Sequence, residues 1–285
     1  MTPLVKSNLH SMTVRTLRWQ SILPALRCLF TCQLAAFGLL LVSGAQASKL
    51  SKDELAAISR RGTLLAEYDS AAWQATDAVK AAHPVDGRMG RYIARKTDAG
   101  WAVDFGRLND TGDKFLLAYE ADQRGGTGQF EVRKFDPVRE DAGWNLAAAR
   151  GIDIAMKDLG RTGRPYNVAV LPAEHEGMYV YLYPAQIEAG VYPLGADVRY
   201  RVSPDGTEII EKRQMHQDII EYAPARKDVK VTVGYHTHVL SDLPEDTDVL
   251  LVLTRKPQVP ELVLAGPYMF TIHKNGQISV EDRPR

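Results

Sequence analysis

Two histidines set two residues apart, His236 and His238, are the side chains of this sequence best suited to chemistry. They stand in Gly234-Tyr235-His236-Thr237-His238, within a run from Val229 to Val239 that alternates as a strand does. Alternation places Val229, Val231, Val233, Tyr235 and Val239 on one face, which reads as the buried one. Lys230, Thr232, Gly234, His236 and His238 fall on the other, with open space expected beside Gly234. Two imidazoles on one face can chelate a divalent ion, and a first-row metal then wants a carboxylate or a third imidazole beside them. The loop that follows offers Asp242, Glu245, Asp246 and Asp248. The expected metal ligands are therefore His236 and His238 with Asp248 or Asp246, and the expected ion is zinc. The plainer alternative is a pair of solvated histidines beside an acidic loop.

The order of an H-x-H strand, an acidic loop and an apolar segment resembles the JAMM metalloprotease motif. That resemblance implies two histidines and an aspartate on zinc, a loop serine at the oxyanion and an upstream glutamate acting on the water. It covers about Asp136 to Val280 and implies a JAMM-like fold there. His236 and His238 match residue by residue. The family spacing for the aspartate falls on Val249, one residue past Asp248, and Asp246 stands in the place of the serine. Tyr166–Leu171, where the family's glutamate is expected, holds none; Glu174, Glu176 and Glu188 follow it. The whole chain also resembles an uncharacterised group of exported bacterial proteins, which implies no function. A second metal reading resembles the cupin barrel, using His236, His238 and Asp242 with His216 or His273, although the glycine spacing of that motif is missing. Two functions follow: a metal-dependent hydrolase, or a non-catalytic binding or envelope-associated module that keeps the fold without the chemistry.

The elements that must position these residues read as α+β with mostly antiparallel strands. Residues 50–82 predict two short helices split at Gly62. Gly90–Arg95, Trp101–Leu108, Lys114–Glu120 and Gln129–Phe135, separated by turn-forming residues, predict a meander. Asp136-Pro137 reads as a helix start, with Trp144, Ala148, Ile152, Ala155 and Leu159 on one face of a central amphipathic helix over about 137–159. Residues 197–215 and Tyr268–Val280 read as hairpins, and Val249–Leu253 fits a buried strand or a short helix. Tyr179, Tyr181 and Tyr183 share a strand face that could take a carbohydrate or peptide; Tyr192 and Tyr200 lie nearby. Arg199 and Arg201 are expected to pair with Glu208 and Glu211 across the hairpin.

The ends and the composition set the surroundings. Lys6, Arg15, Arg18 and Arg27, then an uncharged and largely apolar run Cys28–Val42, then Ala45-Gln46-Ala47 make the three parts of a cleavable export signal, residues 1–47, starting at Met1 or Met12. The expected product is periplasmic or extracellular, in one domain or in two parts, 48–136 and 137–285. Cleavage removes both cysteines, Cys28 and Cys32, so no disulfide can hold the remainder. It also removes four of the 35 basic residues and none of the 35 acidic ones, leaving 31 against 35. That mild acidity argues against a nucleic-acid partner. No second apolar stretch is long enough to anchor the remainder in a membrane.

Overall fold

The computed structural model describes residues 50–84, 87–125, 128–224 and 228–283. The expected signal, residues 1–47, lies outside them. Lys49–Arg285 forms one compact unit. It opens with α1 (Lys52–Ala81), then a meander of β1 (Arg91–Thr97), β2 (Gly100–Leu108), β3 (Phe115–Arg124) and β4 (Gln129–Asp141). After α2 (Trp144–Leu159) come β5 (Tyr166–Pro172), β6 (Met178–Pro184), β7 (Tyr192–Leu194), β8 (Val198–Val202), β9 (Ile209–Gln214) and β10 (Ile220–Tyr222). The last part holds β11 (Gly234–Thr237), α3 (Asp246–Thr254), β12 (Glu261–Ala265), β13 (Tyr268–Ile272) and β14 (Ile278–Asp282). The α+β, mostly antiparallel reading holds: β5-β6-β8-β9 is a second antiparallel sheet and β7 pairs with β10. One pair departs from it. β11 lies parallel to β12, as a strand must when α3 carries the chain back across the sheet.

Two expected boundaries move. Gly62 does not split the first helix, because α1 runs through it. A Cβ there would lie 2.4 Å from Val249 Cβ and 2.5 Å from the Asp246 carbonyl oxygen. Glycine is there because the backbones of α1 and α3 cross at contact. Asp136-Pro137 does not start a helix either: β4 continues to Asp141 and α2 begins at Trp144, stopping at Gly160 with φ 76°. The apolar segment around Val249–Leu253 is helix, in α3.

Three apolar clusters hold these layers. α1 packs Leu65, Tyr68 and Val79 against Val103, Phe105 and Tyr119 of the meander and Tyr181 of β6. α2 packs Ile152 and Ala148 against Val180, Leu182 and Tyr200. Leu55 and Ile58 of α1 join Val249 and Val252 of α3 over Val263 and Phe270. The core thus holds α3 and β12, and the histidine strand is attached to it by pairing with β12. Among the described residues no helix is long and apolar enough to cross a membrane.

A candidate metal centre

Four buried side chains converge: His216, His236, His238 and Asp248 offer ligand atoms that all lie within 4.8 Å of one another. His238 Nε2 is 3.0 Å from His216 Nε2 and 3.1 Å from His236 Nε2. Asp248 Oδ1 is 3.0 Å from His216 Nε2 and 3.1 Å from His236 Nε2, while Oδ2 is 3.1 Å from His238 Nε2. Ligands about 2.0–2.1 Å from a tetrahedral ion would stand about 3.3 Å apart. The donor set fits a single small divalent cation, with a slight opening on binding.

Each ring is aimed by a partner on its outer nitrogen. Asp197, just before β8, receives the His216 N–H at 3.1 Å and lies 2.8 Å from its Nδ1, both on Oδ1. Glu261, first residue of β12, stands beside β11 in the parallel register and puts Oε1 2.9 Å from His236 Nδ1. Tyr222 donates to that same oxygen at 2.6 Å, and Arg255 Nη1 lies 2.6 Å from Oε2. His238 Nδ1 lies 2.7 Å from the Leu243 carbonyl, which also accepts from Ser241 Oγ at 2.8 Å. A carbonyl only accepts, so His238 Nδ1 carries a proton and Nε2 is the nitrogen turned to the other ligands. This outer arrangement of carboxylates and a carbonyl is the one that orients metal-bound imidazoles.

Asp248 comes from the third position of α3. Its Oδ2 accepts the Glu245 N–H at 2.7 Å while the Glu245 side chain accepts from the backbone of Asp248, a reciprocal cap that fixes the carboxylate. The charges are strongly coupled. Burial alone would lower His216, but Asp197 and Asp248 override it and raise it to about 11; His236 rises to about 9 against its own burial, through Asp248 and Glu261. Burial would raise Asp248, but the three imidazoles hold it well below the usual carboxylate range. Three imidazole nitrogens and a buried carboxylate at this spacing require positive charge among them, protons or a metal.

The structure separates the expected ligands. His236, His238 and Asp248 are brought together; Asp246 is not among them. Asp246 is fully buried beside the centre, with Arg61 Nε at 3.0 and 3.1 Å, Arg199 Nη1 at 2.5 Å and the Tyr181 hydroxyl at 2.8 Å. Helical geometry explains this, since residues two apart on α3 point to different sides. The predicted faces of the histidine strand are also reversed: Tyr235 is 73 % exposed and Val239 70 %, while His236 is 4 % and His238 7 %. Nor does Gly234 leave space; a Cβ there would lie 2.1 Å from Glu261 Oε2, so glycine admits the Glu261–Arg255 pair. His216, named only for the cupin-like alternative, joins the set. Asp242 and His273 do not, His273 being turned to Ser279 Oγ at 2.9 Å. Asp197 and Glu261 were missed altogether: each lies 19 or 25 positions from its histidine, with no local pattern to mark it.

Other expected features settle elsewhere. Tyr181 and Tyr183 are buried, bonded to Asp246 and Asp69, so the tyrosine face is covered rather than displayed. Arg201 pairs with Glu211 at 3.6 Å as expected, but Arg199 leaves the hairpin for Asp246. Glu174 is turned to Arg61 and Tyr179 on the surface. No protein-family model matches this chain, no curated protein matches it, and no solved structure matches it.

Proposed function

We propose that this chain is an exported, non-hydrolytic binding module whose JAMM-like part is locked by one zinc ion on His216, His236, His238 and Asp248. The observation that carries the reading is the four-ligand closure. Structural zinc sites take four protein ligands, whereas hydrolytic ones keep a position for water and substrate. His216 supplies the fourth ligand here, and its side chain is 8 % exposed, against 1 % for His236 and His238 and none for Asp248. The nearby glutamates are also committed. Glu261 holds His236 and Arg255, and Glu245 caps α3 and pairs with Arg213 at 2.6 Å. A general base must reach the proton that it takes, and neither glutamate is free to do so. Zinc would supply charge and a fixed geometry, joining the end of β9, β11 and the start of α3.

Elemental analysis of the purified chain, dialysed against zinc and then buffer, tests this. One equivalent of zinc is expected, lost in His236→Ala and His238→Ala, with a fall in melting temperature on chelation and no peptide hydrolysis. Absence of stoichiometric metal would end the reading; zinc-dependent hydrolysis by the wild type would restore the hydrolase.

A further inference from the structure

Behind the metal centre runs a cleft of about 380 Å³, in the range of small-molecule sites. One stripe of α3 lines it, Thr247, Leu250, Leu251 and Thr254, at helical spacing, so the helix that presents Asp248 to the metal presents this face to the cleft. Asp69 and Asp197 also line it, as does Trp73, which is 51 % exposed. Two of these wall residues are incompletely bonded. Asp197 and Thr247 are 1 % and 3 % exposed, yet Asp197 Oδ2 and Thr247 Oγ1 have no hydrogen-bond partner among the described residues. Buried polar atoms are nearly always satisfied, and an unsatisfied one calls for an explanation, an ordered water, ion or ligand among them. Among the described residues Asp69 has one hydrogen-bond donor, the Tyr183 hydroxyl at 2.7 Å. Burial pushes its carboxyl up, with that hydroxyl opposing. Lys256 is the single cation among the lining residues.

We infer that this cleft binds a small organic cation, a primary ammonium group on an aromatic or apolar body. The ammonium donates to Asp69 and to the Asp197–Thr247 wall, and the body lies between Trp73 and the Leu250–Leu251 stripe. An ammonium has three donors and no acceptor, which suits a wall of unmet acceptors, and an exposed indole attracts cations over its face. A neutral sugar would use the same aromatic surface but would bring no counter-charge to Asp69. The site also adjoins the metal centre, because Asp197 gives Oδ1 to His216 and is itself one of the cleft's lining residues.

Calorimetric titration of the metal-loaded full chain with tyramine tests the assignment, with tyrosol as the neutral analogue of the same shape and N-acetylglucosamine as the sugar. Saturable binding of tyramine is expected, at least about ten-fold tighter than tyrosol, since a charge-assisted hydrogen bond exceeds a neutral one by that order. Asp69→Asn keeps an acceptor for Tyr183 and should weaken tyramine at least about ten-fold. Trp73→Ala, on the surface, should weaken both aromatic ligands without altering the fold or the zinc content. Equal affinity for tyramine and tyrosol, binding of the sugar alone, no saturation by tyramine, or an unaltered Asp69→Asn titration would each overturn the inference. Zinc content measured on the same samples keeps failure of the metal reading separate from failure of this one.

Discussion

Asp246 and Asp248 are two residues apart and equally buried, and substitution should separate their roles. Asp246→Asn keeps the volume but removes the charge that faces two guanidinium groups and a tyrosine hydroxyl. Arg61 and Arg199 are 18 % and 11 % exposed at their side chains, so neither is rehydrated without moving. Removing one partner from a buried ion pair costs about 3–5 kcal/mol, because the remaining charge stays buried. The partial exposure of both arginines places this case near the lower end, about 3 kcal/mol. For a domain of this size that is a fall in melting temperature of about 6–12 °C. Zinc content should stay at one equivalent, since Asp246 contacts no ligand atom of the centre. Differential scanning calorimetry with elemental analysis of the same sample reads both quantities. An Asp246→Asn protein that loses its zinc while melting like the wild type would refute the division of roles, and would return Asp246 to the ligand set.

The other substitutions probe the surroundings of the centre. Glu261→Gln removes the charge behind His236, and outer partners of metal-bound histidines are worth about 10–100-fold in affinity; competition with a chromophoric chelator should show a loss in that range, and unchanged affinity would count against the triad. Burial would raise Glu174, but Tyr179 and Arg61 lower it from 4.5 to about 2. A depressed carboxylate stabilises the fold above its unfolded pKa and ceases to do so as pH falls through the folded one. Glu174→Gln should therefore narrow the loss of stability between about pH 4.5 and 2, by less than about 1 kcal/mol for so exposed a pair. Urea melts across that interval check it, and parallel acid limbs for the two proteins would show that the pair is inert.

The class of the fold was legible because turn residues and period-two runs recur at short intervals from Gly90 to Phe135 and again from Met178 to Met215. The pair His236 and His238 and the aspartate at 248 were legible as residue types. Their faces were not, and the reason is physical. Alternation shows which residues share a side, but assigning the polar side to solvent assumes that the interior is apolar. Here the interior of β11 is a charged centre, so His236 points in and Tyr235 points out. Gly62 and Pro137 misled for a related cause: each is a local breaker in isolation, and each is accommodated by a contact or strand that only the assembled chain supplies. Asp197 and Glu261 carry no signal at all, because a carboxylate that orients a distant ring looks like any other in a chain with 35 acidic residues.

The segment between His216 and Asp248 shows why a cation belongs there. Its strands are short: β10 has three residues and β11 four, and β11 has one neighbour in its sheet, β12. Several of its apolar side chains face outward, Val229, Val233, Tyr235, Val239 and Leu240 among them. Burial contributes little to ordering it, and the proposed exported form has no cysteine to close it. His216 and Asp248 lie 32 positions apart, and a cross-link over a loop of that length removes roughly 3–4 kcal/mol of chain entropy from the unfolded state. A zinc ion shared by both ends would act as that cross-link. Chelation should therefore free β10 and β11 selectively, with amide exchange there rising by two orders of magnitude or more, since about 3 kcal/mol is a factor of more than 100. Exchange in β2 and β3, held by the α1 core, should change little. Uniform loosening of all four strands would mean that the centre supports the whole fold, and no change in any of them would mean that it supports none.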